Sequence, residues 1–320
     1  MFELSVVLAF ALDLLFADPV RIPHPVVIIG RGISFLEKNL RNIFPDSPTG
    51  RRAAGGVMAF LIPVTTFIVT GGLCIIAYMI HPVLFFCLHT FWCWQAIAVS
   101  GLAREASGVY RQLSPVCDID AARRAVGRIV GRDTAALDEA GVTRAAVETI
   151  AENYSDGVMA PFFYMMIGGA PLALTYKSIN TMDSMVGYKN DVYIDFGRHP
   201  AHLDDAAGFI PARLGAILWI CAAGLTGQNA KDAFRIWRRD NRNHASPNSA
   251  QTESACAGAL GVQLAGPAYY FGELYEKPTI GDPLRPIEAE DIKRTNRMLY
   301  AASVLSLLLC MAAGCWTILL

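Results

Sequence analysis

The segment from Ile179 to Asp191 reads INTMDSMVGYKND, and it sets two carboxylates, a lysine, two hydroxyl residues and two asparagines side by side. With its continuation, YIDFGRHPAHLDDAAGFIPAR, and the preceding Lys177, it offers Asp183, Lys189, Asp191, Arg198, Asp204, Asp205 and Arg213. Acids and bases interleaved in this way suit a magnesium–phosphate ligand. Lysine and arginine pair with phosphate oxygens while carboxylates hold the cation. A salt-bridged surface loop is the plainer alternative. His199 and His202, just ahead of Asp204 and Asp205, imitate a transition-metal site, which is the weaker pattern. A second cluster, ETIAENYSDG, supplies Glu148, Glu152, Asn153, Ser155 and Asp156. Carboxylates one turn apart, with a third past the helix end, can converge on one hard cation; an exposed acidic face ending in an Asp-Gly turn would look the same. The third cluster runs HASPNSAQTESACAGALGVQLAGPAYYFGELYEKPTIGD. Its small residues and paired tyrosines would admit a bulky, flat ligand close to the backbone, or would build a tightly packed helix over 255–272. Its glycines do not follow a strand, and no Walker A pattern occurs, so neither common nucleotide fingerprint is present.

The elements that must carry these clusters are unusually apolar. The chain has 320 residues, 53% hydrophobic and only 17% charged, with a mean hydropathy of +0.36. A soluble chain would carry about a quarter charged residues. The excess is concentrated: no Asp, Glu, Lys or Arg lies between Arg52 and Arg104. That gap holds two membrane spans of roughly 20 residues each, turning at His81-Pro82. MLYAASVLSLLLCMAAGCWTILL at the end is another span, and MFELSVVLAFALDLLFADP is a short first one ending near Asp18-Pro19. This opening lacks the basic region and cleavage site of a signal peptide. The eight cysteines form no C-x-x-C pair and read as small buried hydrophobes. A net charge of −1 with no basic stripe argues against nucleic acid.

Lysine and arginine orient the spans. Segment 19–52, with Arg21, Arg31, Lys38, Arg41, Arg51 and Arg52, should be cytoplasmic, as should 104–156 and 231–297. Gly157–Tyr176 and Leu214–Ala230 bracket the polar segment at 177–207, and the charge rule is satisfied whether both cross or both are re-entrant. Pro161, Gly168, Gly169 and Pro171 interrupt the first, and irregular backbone at membrane depth survives only inside protein or beside a wet cavity. Asp118 should cap a helix that stops near Gly131, and Thr143 should cap the helix bearing Glu148 and Glu152. No alternating pattern is long enough for a sheet. The expected fold is all-α: one polytopic membrane domain over 1–320, with about four to six membrane segments, re-entrant ones among them.

Three long stretches carry a family resemblance: GRDTAALDEAGVTRAAVETIAENYSDGVMAPFFY, YKSINTMDSMVGYKNDVYIDFGRHPAHLDDAAGFIPARL and SPNSAQTESACAGALGVQLAGPAYYFGELYEKP. Together with ALDLLFADPVRIPHPVVIIG near the start, they resemble the CobD/CbiB family of cobalamin biosynthesis, across essentially the whole chain and in order. His199 and His202 stand where the family has small or arginine residues, which further weakens a histidine metal site.

The resemblance implies an adenosylcobinamide-phosphate synthase of the inner membrane. Such an enzyme joins the ring-D propionate of adenosylcobyric acid to (R)-1-amino-2-propanol or its O-2-phosphate, using ATP and Mg²⁺. It implies Glu148, Glu152, Asp156 and Asp183 on magnesium and Lys177, Lys189 and Arg213 on phosphates, with Asp204 or Asp205 as base or second cation ligand. Asp183, Lys189, Asp204 and Asp205 form the expected catalytic group. Asn180, Ser184, Tyr188, Arg198, Ser246, Asn248 and Tyr270 would contact ATP or substrate. Because ATP and corrinoid are cytoplasmic, the polar segment should face that side. Expected partners are the two substrates and membrane lipid, with a homo-oligomer or later membrane enzymes of the pathway beyond them. A regulatory protein like the AmpE proteins, or a corrinoid transporter, is the rival reading; a transporter would show two symmetric halves, and no repeat is visible.

Overall fold

A helix that must start and stop within uncharged sequence depends on its caps, and the chain supplies them. In a computed structural model, described over residues 2–17, 19, 23–114, 116–270 and 272–313, the first elements are α1 (Phe2–Phe16), α2 (Pro25–Ile43), α3 (Pro48–Ile80) and α4 (Pro82–Ala96). Ser47 Oγ accepts from Gly50 N at 3.1 Å to open α3, with Pro48 in the first turn where its missing N–H costs nothing. His81 closes α3 through N–H to Ala77 O and opens α4 by accepting from Val83 N at 3.1 Å. The turn expected at His81-Pro82 is therefore one residue that caps two helices.

There follow α5 (Val99–Leu113), α6 (Ile119–Val126), α7 (Glu139–Tyr154), a π-helical turn over Ser155–Met159, α8 (Ala160–Val186), α9 (Arg198–Leu225), α10 (Ala230–Asp240), α11 (Ser249–Leu260) and α12 (Glu290–Ala313). Two ribbons interrupt the helices, from β1 (Leu264–Ala265), β2 (Ala268–Tyr270), β3 (Glu273–Tyr275) and β4 (Thr279–Ile280). The pairs are antiparallel, Leu264 opposite Ile280 and Ala268 opposite Tyr275. The fold is all-α but for these. Among the described residues five helical segments are long and apolar enough to cross a membrane: Pro48–Ile80, Pro82–Leu113, Glu139–Val186, Arg198–Leu225 and Glu290–Ala313. Asp18, Arg21, Cys315 and the end of the expected last span lie outside the described residues.

Several boundaries differ from expectation. Asp118 does cap α6, but the helix stops at Gly127 rather than near Gly131. The cap of α7 is Asp138, whose Oδ1 accepts from Gly141 N at 2.7 Å, while Thr143 lies buried inside the helix. Stretch 255–272 is helical only to Leu260, where Gly261 turns left-handed at φ 66°.

The chain divides into two compact units. The first comprises residues 1–98, 160–208 and 309–320. Its core gathers Ile33 and Leu40 of α2, Ala54 and Met58 of α3, Met182 and Val186 of α8, and Phe196. The turn 187–197 is pressed onto this core: a Cβ at Gly55 would collide with Phe196 O, and one at Gly197 with Val186 O. Arg52 fastens the same turn through Asp195 at 2.7 Å. Inside α8, Gly168 and Gly169 leave helical geometry, Gly169 at φ 64°, ahead of Pro171. The freed Ala170 N–H donates to His89 Nε2 at 3.1 Å. Ser5 Oγ donates to Phe2 O at 2.6 Å and so accepts from His89 Nδ1 at 2.7 Å. The hydrogen-bond pattern thus assigns His89 the tautomer with its proton on Nδ1.

The second unit comprises residues 99–159 and 209–308. Every residue of α11 is buried, and Gly258 lets its backbone meet that of Asp232 on α10. The end of α10 is tied to the ribbon region: Arg239 pairs with Asp240 and Asp282, and Asp240 Oδ2 accepts from Gly281 N at 2.8 Å.

Candidate functional site

In the second unit, α7 places Glu148 and Glu152 one turn apart on one face, as i and i+4 must lie. Three other segments close over that face and leave a polar cavity of about 120 Å³. Arg132, from the loop before α7, pairs with Glu148 Oε2 at 2.9 Å, both side chains largely buried. Ala265 N donates to Glu148 Oε1 at 2.6 Å. To aim that N–H, Ala265 sits in the left-handed region at φ 59°, followed by Gly266 at φ 86°. A non-glycine residue held there marks backbone that its surroundings over-determine. Ser249 Oγ, at the start of α11, donates to Glu152 Oε1 at 2.7 Å.

The fourth wall is α11, which sends Glu253 into the cavity at only 3% exposure. Burial first, then the charges of Glu152 and Glu148, push the Glu253 carboxyl well above the usual carboxylate range, against smaller opposing effects from Lys277 and Arg132. His244 and Lys277 complete the lining, with Tyr270 beside Lys277 Nζ at 2.5 Å from its hydroxyl. Burial holds the His244 imidazole below its ordinary value although Glu152 pulls it upward, so it is a neutral ring near pH 7. Carboxylates, an imidazole, a guanidinium and an ammonium thus face one small space, an arrangement able to bind a charged ligand and to move protons.

Arg132, His244, Glu253 and Lys277 were not among the residues singled out from the sequence. Glu253 had a signal there: it is the only Asp, Glu, Lys or Arg between Arg242 and Glu273. A lone carboxylate in a long run of small residues, on a helix fit only for burial, is costly unless used. The other three come from separate loops and carry no local pattern.

Beside this cavity, three expected residues meet. Arg213 Nη1 donates to Asn248 Oδ1 at 3.2 Å and its Nη2 to Pro247 O at 3.3 Å, while Ser246 Oγ accepts from Asn248 N at 3.2 Å. The α11 N-terminus lies next to them, a polarity that favours anions.

The remaining expected residues belong to the first unit. Asp183 Oδ1 is buried without a hydrogen-bond partner, on the last turn of α8. Gly187 folds back over it, its N–H on Asp183 O at 2.7 Å, so closely that a Cβ there would strike the carboxylate. Asp205 lies within electrostatic reach, and Asn180 Nδ2 donates to Asp204 Oδ1 at 3.4 Å. Lys177 instead lines a separate cavity with His24 and Arg31. Ser184, Tyr188, Lys189 and Arg198 are exposed, and so are His199 and His202.

Among the described residues no three His, Cys, Asp or Glu side chains gather closely enough to hold an ion alone. Of the expected magnesium ligands in the second unit, Asp156 occupies the π-helical turn outside the cavity lining, and Glu148 is committed to Arg132 and Ala265.

The chain matches the family described as CobD/Cbib protein over residues 6–299. It is 48% identical over 305 residues to "Cobalamin biosynthesis protein CobD" of Geobacter metallireducens, covering 95% of this chain and 94% of that one. It is 44% identical over 309 residues to "Cobalamin biosynthesis protein CbiB" of Salmonella arizonae, covering 97% and 96%. The "Cobalamin biosynthesis protein CobD" of Clostridium perfringens is 44% identical over 312 residues, 98% of each chain. No solved structure matches.

Proposed function

The chain belongs to the CobD/CbiB family, and from that premise we propose that it is a membrane enzyme of cobalamin biosynthesis that forms an amide bond with ATP. The substrates are a corrinoid carboxylate, the ring-D propionate of adenosylcobyric acid, and the small amine (R)-1-amino-2-propanol or its O-2-phosphate. The observation that carries this reading is the cavity on which Glu148, Glu152, Glu253, Arg132, His244 and Lys277 converge. A purely regulatory protein has no need of so many charged groups sunk in one small space, since each is costly to desolvate.

A carboxylate is a poor acyl donor until phosphorylated, so the chemistry asks for phosphate binding and for proton transfer. For phosphate the best-placed group is Arg213 with Ser246 and Asn248 at the α11 N-terminus. Magnesium fits Asp183 better than Glu148: Asp183 has a buried oxygen without a partner and Asp205 nearby, whereas the Glu148 oxygens are already paired. Two carboxylates with phosphate and water completing the shell are an ordinary magnesium donor set. When bound, the ion would neutralise phosphate charge. Asp183 and Asp205 would hold it, and Lys189 would approach the remaining phosphate oxygens.

Full-length protein in lipid nanodiscs, given adenosylcobyric acid, either amine and ATP with Mg²⁺, should yield an ATP-dependent corrinoid amide. Asp183→Asn should lower the rate about a thousandfold or more, the loss expected for several kcal/mol of metal–phosphate contact. Absence of ATP-dependent product with both amines would overturn the reading.

A further inference from the structure

Three carboxyl groups, Glu148, Glu152 and Glu253, face the polar cavity against two cations, Arg132 and Lys277. Arg132 is paired with Glu148 at 2.9 Å. Lys277, held beside Tyr270, is the second cation of the lining, and its charge acts on Glu253. His244 adds no settled charge. Among the described residues no hydrogen bond from the protein reaches the Glu253 carboxyl, although the residue is 3% exposed and lines the cavity. So deeply buried, the group is unfavourable as a lone carboxylate and keeps its proton until a ligand's positive charge lets it ionise. The cavity therefore asks for one cationic hydrogen-bond donor.

Its size says which donor. About 120 Å³ is well below the roughly 300 Å³ at which drug-sized ligands begin to fit, so no whole nucleotide or corrinoid can be enclosed. A molecule of a few heavy atoms can. A larger, open cavity of about 730 Å³ adjoins it in the same unit, and Arg132 and Ala265 line both. Arg132 and Ala265 thus border both the place of a small ligand at Glu253 and a space able to admit part of a bulky partner.

We propose that Glu253 receives the ammonium group of the small amine co-substrate and takes its proton, an assignment that rests on the amide-forming reading above. The ammonium gives one proton to the Glu253 carboxylate, and the freed nitrogen lone pair attacks the acyl carbon of the ATP-phosphorylated corrinoid carboxylate. The C–N bond forms and the C–O bond to phosphate breaks. Phosphate leaves with that electron pair and takes up the second nitrogen proton, and Glu253 returns its proton to solvent. A carboxyl whose affinity for protons is raised by burial beside Glu148 and Glu152 is a better base for this than an exposed one.

The test separates amine binding from carboxylate activation in full-length protein. Hydroxylamine, neutral near pH 7, traps an acyl phosphate as the hydroxamate without needing an ammonium site. Glu253→Gln should keep ATP- and corrinoid-dependent hydroxamate formation near wild type. Its KM for the amine should rise about tenfold to a hundredfold, the scale of a lost charge-assisted hydrogen bond, with KM for ATP unchanged. Glu253→Asp should restore part of the loss. Unchanged amine KM in Glu253→Gln would overturn the assignment. So would parallel loss of hydroxamate and amide in both variants, which would make Glu253 part of activation or of the fold. Wild-type protein that forms neither product would instead refute the amide-forming reading itself.

Discussion

Glu253 also has a consequence for stability, independent of any substrate. Its carboxyl holds a proton more tightly in the folded chain than in the unfolded one, where its ordinary value is 4.5. Between that value and the raised one the folded state binds more protons, so stability falls as pH rises through the window. Each unit of the raised value is worth about 1.4 kcal/mol. Glu253→Gln mimics the protonated form and removes this titration. Its melting temperature should therefore gain on wild type as pH rises above the ordinary carboxylate range; parallel curves would show that Glu253 does not titrate there. At this scale the sequence was half legible. Glu148 and Glu152 could be read because helix geometry alone puts i and i+4 on one face. Arg132, His244 and Lys277 could not, because only the closing of three loops over α7 brings them there. Lys189 and Arg198 looked equal to Asp183 in the sequence, yet they lie on exposed surface while Asp183 turns inward.

Among the elements, α8 shows what apolar sequence can and cannot announce. Gly168, Gly169 and Pro171 signalled a break, and the break is there. What the sequence did not show is the acceptor for the freed Ala170 N–H, which comes from His89 on another helix. His89→Ala should cost about 1–3 kcal/mol, the penalty of a buried donor left unpaired, measured as unfolding in detergent or bicelles. Ser5→Ala should cost less, since Ser5 orients the imidazole but does not cap α8. Equal losses would mean that packing rather than capping sets the value of His89. The misplaced helix ends have similar causes. Gly141, in the first turn of α7, reads as loop and hid the true cap at Asp138. The Asp156-Gly157 pair reads as a stop, yet the chain passes through it in a π-helical turn and continues into α8. The ribbon strands of two or three residues are too short for any alternation to register.

For the whole molecule, the positive-inside rule makes one demand that can be checked directly. The basic α2 segment should face the cytoplasm. With Cys315 and the exposed cysteines among the described residues, Cys87, Cys117 and Cys221, replaced, Asn42→Cys on the open face of α2 should resist an impermeant maleimide in intact cells and react after permeabilisation. Labelling in intact cells would invert the topology. The choice of method matters, because His89 joins three helices that leave the ribosome far apart in time. Helix α1 has 15 residues, about 22 Å at 1.5 Å per residue, against a hydrocarbon core of about 30 Å. It becomes anchored when α4 arrives, through Ser5 on His89 and Ala17 O on Trp94 Nε1 at 3.0 Å. The imidazole then waits for Ala170. Reporter fusions truncated ahead of residue 170 would therefore record a nascent intermediate, with His89 still lacking its Ala170 donor, rather than the finished protein.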